Sequence, residues 1–118
     1  LGELYWRYLH DYPKSEANLK ISIEHKPNDI QNHTSLAELY HYSYKEKYDL
    51  ADDVLLDGLK VNPDNGTLER RLAYLYEQRN EWKTALEWWN KILEAFPDDE
   101  AVKNSIDKVK TKLGGGNN

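Results

Sequence analysis

The sequence predicts an all-α protein built from helix hairpins that stack on one another. Three observations carry that expectation. Apolar residues recur at spacings of three and four over most of the chain. No stretch shows the period-two alternation of a half-buried strand. Pro27, Pro63 and Pro97 stand 36 and 34 residues apart.

Helices are expected near residues 2–11, 14–25, 29–43, 46–61, 66–78, 81–95 and 99–113, about seven in all. Leu4, Tyr5, Trp6, Tyr8 and Leu9 crowd the first, a truncated helix apolar on several sides. Leu19 and Ile23 form the stripe of the second, and Pro13 suits its first turn, where a missing N–H is not needed. Leu36, Ala37, Leu39 and Tyr40 mark the third, and Tyr48, Ala51, Leu55 and Leu59 the fourth. Leu72, Ala73, Leu75 and Tyr76 mark the fifth, which a polar break at Gln78-Arg79-Asn80 ends. The sixth carries Ala85, Leu86, Trp89, Leu93 and Phe96. Helices this short cannot bury their stripes alone and must stack on neighbours. Each of the three prolines is followed by a helix-start signal: Asn28 with Gln31, Asp64-Asn65, and Asp98. The last helix bears one stripe, Val102, Ile106, Val109 and Leu113, among charges. Asp98, Asp99 and Glu100 at its start and Lys108, Lys110 and Lys112 near its end match the helix dipole. The closing residues, 114–118, are expected to be a disordered tail.

The chain repeats itself. Leu36-Ala37-Glu38-Leu39-Tyr40 matches Leu72-Ala73-Tyr74-Leu75-Tyr76 at a shift of 36. Beyond that the shift is 34, placing Tyr48 under Trp82, Ala51 under Ala85, Leu55 under Trp89 and Leu59 under Leu93. The earlier unit therefore carries two extra residues within Tyr42–Lys47, expected in the turn between its helices. The pattern resembles the tetratricopeptide repeat, a helix pair of about 34 residues. Its Leu-small-x-x-Tyr run is Leu72-Ala73-x-x-Tyr76, followed by Ala85, Trp89 and the closing Pro97. The resemblance implies a right-handed α-solenoid of stacked antiparallel hairpins. It would hold a partial repeat at 1–27, repeats at 28–63 and 64–97, and a capping helix at 98–113. The chain departs from the family where His33 and Glu69 replace its early tryptophan, and where Gly58 in one unit becomes Ile92 in the other.

Composition excludes several function classes. The net charge is −5, and Lys and Arg are spread along the chain, which argues against binding nucleic-acid phosphates. With no cysteine there is neither disulfide nor thiolate metal site nor cysteine catalysis. No apolar run reaches the roughly 20 residues needed to cross a bilayer, and no signal peptide is visible. A soluble protein is expected, compatible with cytoplasm or periplasm alike. The chain opens at Leu1 and contains no methionine, so it reads as a processed protein or an excised domain. Apolar residues make up only 39%, but nine Tyr, four Trp and one Phe supply large buried area per residue.

No arrangement points to catalysis, a metal or a cofactor. The four histidines lack ligand spacing, and His33 and His41 lie about two helical turns apart. Asp52-Asp53 and Asp98-Asp99-Glu100 read as solvated faces and helix starts, with no pocket marked to separate their pKa values. Trp82, Trp89 and Tyr48 recur in register and are expected in the core. Trp88 and its counterpart Val54 point elsewhere, to helix packing or an exposed contact.

The resemblance implies that ligands lie in a concave groove lined by the first helices. Its phase is Gln31, Thr34, Glu38, His41 and Tyr42 in one unit and Thr67, Arg70, Tyr74, Glu77 and Gln78 in the next. Asn104 and Lys108 extend it along the cap. This mixed polar surface with tyrosine is able to hydrogen-bond a peptide; the plainer expectation is a solvated face. The family's carboxylate clamp is not expected, because only Arg71 fits while Ser35 and Thr67 stand where Asn and Lys are wanted. The expected function is thus a protein–protein interaction module that binds a partner peptide or protein segment. The alternative is a structural spacer, or a homo-oligomer joined through its N-terminal edge at Tyr5, Trp6 and Leu9.

Overall fold

The computed structural model describes residues 11–115. All regular structure among them is helical, in two compact units that meet in sequence between Pro63 and Asp64. The helix expected at 2–11, with the edge residues Tyr5, Trp6 and Leu9, lies outside the described residues, as do 116–118.

The first unit begins with α1, Tyr12–His25, and α2, Ile30–Glu38. The Asp11 carboxylate accepts from Lys14 N–H at 3.2 Å, and Pro13 occupies the first turn of α1. Asp29 rather than Asn28 caps α2, accepting from Gln31 N–H at 3.1 Å. A β-region φ of −83° at Asp29 leaves its side chain aimed back at the helix start.

The expected helix at 29–43 does not stay α-helical, nor does that at 46–61. After Glu38 the backbone widens into a π-turn, Leu39–Ser43, closed by Tyr44 N–H donating to the Leu39 carbonyl at 2.6 Å. It then tightens into a 3₁₀ segment, Lys45–Leu50, interrupted at Lys47 (φ −112°, ψ 19°). Only then does α3, Ala51–Val61, begin. The cause is the two extra residues of this repeat. A widened turn absorbs added length while keeping most backbone groups bonded, so apolar spacing continues although the helix type changes. Leu36 and Ala37 of α2 and Tyr40 of the π-turn are buried, as are Ala51, Leu55 and Gly58 of α3. Leu39, Tyr48 and Leu59 are only half-buried.

The second unit holds α4, Gly66–Gln78; α5, Trp82–Ala95; and α6, Glu100–Gly115. Asn65 caps α4 by accepting from Leu68 N–H at 3.1 Å. At the polar break, Asn80 takes a left-handed φ of 61°. Glu81 N–H then reaches the Tyr76 carbonyl at 2.8 Å and Asn80 N–H the Glu77 carbonyl at 3.0 Å. That pair of bonds is a Schellman closure, which stops the helix in three residues and turns the chain back. Asp99, one residue later than expected, caps α6 through Val102 N–H at 3.2 Å. The helix continues through Gly114 and Gly115, two residues past the expected end, with Lys110 and Lys112 favourably placed at its negative pole.

α5 packs on both α4 and α6. Leu68, Leu72, Ile92, Val102 and Val109 are wholly enclosed, each worth about 1.5–3 kcal/mol. The buried stripe of α5 is Ala85, Trp89 and Ile92. Leu86 and Leu93 are half-buried, because a four–three step keeps pace with 3.6 residues per turn where two steps of four drift off the face, and Phe96, one residue past the end of α5, is exposed. Trp82 is half-buried beneath the Lys112 ammonium, 5.9 Å from the ring centre. Ile92, which stands where the earlier repeat has Gly58, is fully enclosed.

Candidate partner-binding surface

In the second unit the expected contact residues lie along α4 and α6. Thr67, Tyr74 and Gln78 are exposed on α4, and Asn104 and Lys108 on α6. Two cross-links set the relation of these helices. Arg70 Nη2 donates to Asp99 Oδ2 at 2.7 Å, and Lys108 Nζ pairs with Glu77 Oε1 at 3.1 Å. Arg70 precedes Glu77 as Asp99 precedes Lys108, so α4 and α6 run in the same direction with α5 antiparallel to both. Tyr74, 48% exposed, stands on α4 between the two cross-links.

Asp99 serves twice. One oxygen caps α6 and the other takes Arg70, whose guanidinium also lies 5.8 Å from the centre of the Phe96 ring. The Arg70 hydrogen bond, joined by that of the Val102 N–H, holds the Asp99 carboxyl below the usual carboxylate range. Arg70 is therefore a fastener of α6 as well as part of the expected surface.

Glu77 is buried, and its role was not legible in its position alone. Oε2 accepts the Trp89 indole N–H at 2.6 Å while Oε1 meets Lys108. A buried indole N–H needs an acceptor, and here a carboxylate charge-balanced by lysine provides it. The repeat carried a signal for this pair: where Trp89 and Glu77 stand, the earlier unit has Leu55 and His41, neither needing the other.

In the first unit Gln31, Glu38 and Tyr42 are exposed, Tyr42 by 55%. Thr34 and His41 are buried. The Thr34 hydroxyl donates to the Gln31 carbonyl at 3.0 Å. His41, in the π-turn, stacks on Tyr48 at 5.2 Å and meets the Tyr42 ring edge-on at 4.5 Å. These two are packing residues, and the accessible part of the expected phase is Gln31, Glu38 and Tyr42.

A second polar cluster sits in this unit. The buried Glu16 carboxylate accepts from the Tyr40 hydroxyl at 2.5 Å and from Lys47 Nζ at 2.8 Å, with Lys20 at 3.6 Å. Burial pushes the Glu16 carboxyl up, but Lys47, Tyr40 and Lys20 together outweigh it, and the group ends below its ordinary value. Burial and then the same carboxylate push the Tyr40 phenol well up, so it stays a donor. The hydrogen bond to Glu16 likewise raises Lys47. This cluster ties α1 to the π-turn and the 3₁₀ segment.

Among the described residues, no three His, Cys, Asp or Glu side chains gather as metal ligands, and no helix is long and apolar enough to cross a membrane. No protein-family model and no curated protein matches the chain significantly.

Proposed function

We propose that this chain is a tetratricopeptide-like interaction module that binds a partner peptide or protein segment along the exposed faces of its first helices. The two units repeat one pattern at a shift of 36 residues, and in that reading the first helices of successive repeats line one concave groove of a right-handed solenoid. The observation that carries the reading is Tyr74. An aromatic ring 48% exposed sits on a helix tied to its neighbour by one ion pair on either side of it, so it is presented without further ordering. Thr67, Gln78 and Asn104 offer hydrogen bonds around it, and Gln31, Glu38 and Tyr42 offer the same chemistry in the first unit. The mechanism is binding, with neither cofactor nor reaction.

The test uses Tyr74→Ala with Gln78→Ala. Arg70 is a poorer probe, because removing it also frees Asp99. A partner first captured by the parent and identified by mass spectrometry should bind the double variant at least about tenfold more weakly, a loss of roughly 1.4 kcal/mol. Helical content and melting temperature should not change. Equal binding by both proteins places the contact on another surface.

A further inference from the structure

In the first unit, α1 and α3 form the walls of a cleft of about 420 Å³, with α2 as its floor. The floor and lower walls are apolar: Ile23, Leu36, Tyr40, Leu50 and Val54. The rim is acidic, with Glu24 on one wall and Asp53 and Asp57 on the other. Asp57 pairs with Lys60, an exposed partner, at 3.3 Å. Lys20 also borders the cleft, but its ammonium is drawn to Glu16 at 3.6 Å. His33, 3% exposed, completes the floor. Its Nε2 lies 3.2 Å from the Pro27 carbonyl and so carries the proton, which leaves Nδ1 as a buried acceptor with no partner among the described residues.

The later repeat shows what such a place takes. There Glu69 stands for His33, Trp88 for Val54 and Lys91 for Asp57. The Lys91 ammonium lies 5.3 Å from the centre of the Trp88 ring and pairs with the buried Glu69 carboxylate at 3.1 Å. So in the second unit a lysine of the chain itself lies along an apolar wall and meets the buried polar group at position 69. In the first unit, the position of that lysine is an aspartate, the aromatic wall is reduced to valine, and the buried acceptor is unmatched.

We propose that this cleft receives a lysine side chain from a basic amphipathic segment of a partner protein. The methylene stem lies along Leu50, Val54 and Tyr40, where apolar surface covers it. The ammonium is held at the rim by the Glu24, Asp53 and Asp57 carboxylates. A neighbouring apolar side chain of the same segment, one helical turn away, fills the remainder. The cleft is lined by residues of the first unit alone and Tyr74 belongs to the second, so the inference does not rest on the function proposed above.

The probe is a short helical peptide of alternating leucine and lysine pairs, titrated into the full chain and followed by backbone and imidazole NMR. Shifts should cluster at residues 20–24, 33–40 and 50–57. Glu24→Lys with Asp53→Lys, both exposed, should weaken the peptide at least about tenfold, roughly 1.4 kcal/mol. Val54→Trp with Asp57→Lys builds the arrangement of the later repeat into the cleft and should abolish binding. Tyr74→Ala with Gln78→Ala should leave the peptide affinity unchanged, so the two proposals fail separately. The inference is overturned if the same peptide with glutamate for lysine binds as well, or if spermine, which lacks the apolar residue, binds as tightly. Shifts elsewhere, or full affinity in both cleft variants, overturn it too.

Discussion

The two hairpins carry the same Leu-Ala-x-x-Tyr run and leave it in opposite ways. After Tyr76 the chain turns within three residues, through the left-handed Asn80 and two capping hydrogen bonds. After Tyr40 it takes a π-turn and a 3₁₀ segment, twelve residues from Leu39 to Leu50, before α-geometry returns. The short joint is satisfied by its own backbone. The long joint is held by side chains from outside it, chiefly Glu16 of α1 gripping Tyr40 and Lys47. Two added residues have thus moved the stabilisation of a turn from local backbone bonds to a buried tertiary cluster. Both described cores bury polar side chains, Glu16, His33, Thr34 and His41 in the first unit and Glu69 and Glu77 in the second, but the second surrounds them with the larger aliphatic set.

The largest expected effect breaks the second unit. Trp89 is 7% exposed and reaches both the core and Glu77. Trp89→Ala should cost about 3–5 kcal/mol, as for large aromatics in other cores. Trp89→Phe keeps most of the ring but leaves the buried Glu77 Oε2 without its indole donor, and should cost about 1–3 kcal/mol. Replacing Leu55, the counterpart of Trp89, with Phe adds volume without touching a hydrogen bond. If Trp89→Phe in urea denaturation is as stable as the parent, the Glu77 bond contributes nothing and the contrast between the units is one of packing alone.

These residues also show how far the sequence could be read. Spacing located α1, α4, α5 and α6 to within two residues at each end, because a stripe at three and four admits few alternatives, while α2 ends and α3 begins five residues from expectation. The caps fell one residue from expectation at Asp29 and Asp99, since neighbouring Asn or Asp side chains compete for the same N–H groups and backbone geometry chooses between them. The π-turn was not legible, as π- and α-turns bury nearly the same positions over five residues. Glu77 looked like a surface residue because its phase is shared with Tyr74, and only the length of Trp89 brings an indole N–H to it.

Glu16 separates the units by pH. Its carboxyl lies below the ordinary value when folded, so its contribution is complete above the unfolded value and is lost as pH falls through the folded one. Lys47 and Tyr40 are raised, so their contributions are complete below their unfolded values and are lost as alkaline pH passes the folded ones. The long joint should therefore loosen at both extremes. Glu16→Gln should cost about 1–3 kcal/mol near neutrality and flatten both arms. Hydrogen exchange resolved by segment is the measurement, with protection at 39–50 falling below the carboxylate range in the parent only. In the second unit Asp99 is also lowered by Arg70, but that pair is partly exposed and salt should screen it. Acid loosening at 39–50 that persists in Glu16→Gln would remove Glu16 from the account.

The smallest effect sharpens the contrast between the joints. Asn80 sits at φ 61°, where a Cβ is crowded by the following carbonyl and glycine is not. Asn80→Gly relieves that strain but loosens the unfolded chain, and should leave stability within about 1 kcal/mol of the parent, on the favourable side. At the long joint, Lys47 has φ −112°, which any residue adopts, so glycine there has no strain to relieve. Lys47→Gly adds freedom to the unfolded chain and removes the ammonium from Glu16, two losses with no gain. The same residue change should therefore shift the urea midpoint upward at one joint and downward at the other. Movement in the same direction at both would mean that the turn after Tyr76 is held, like the turn after Tyr40, by contacts outside itself.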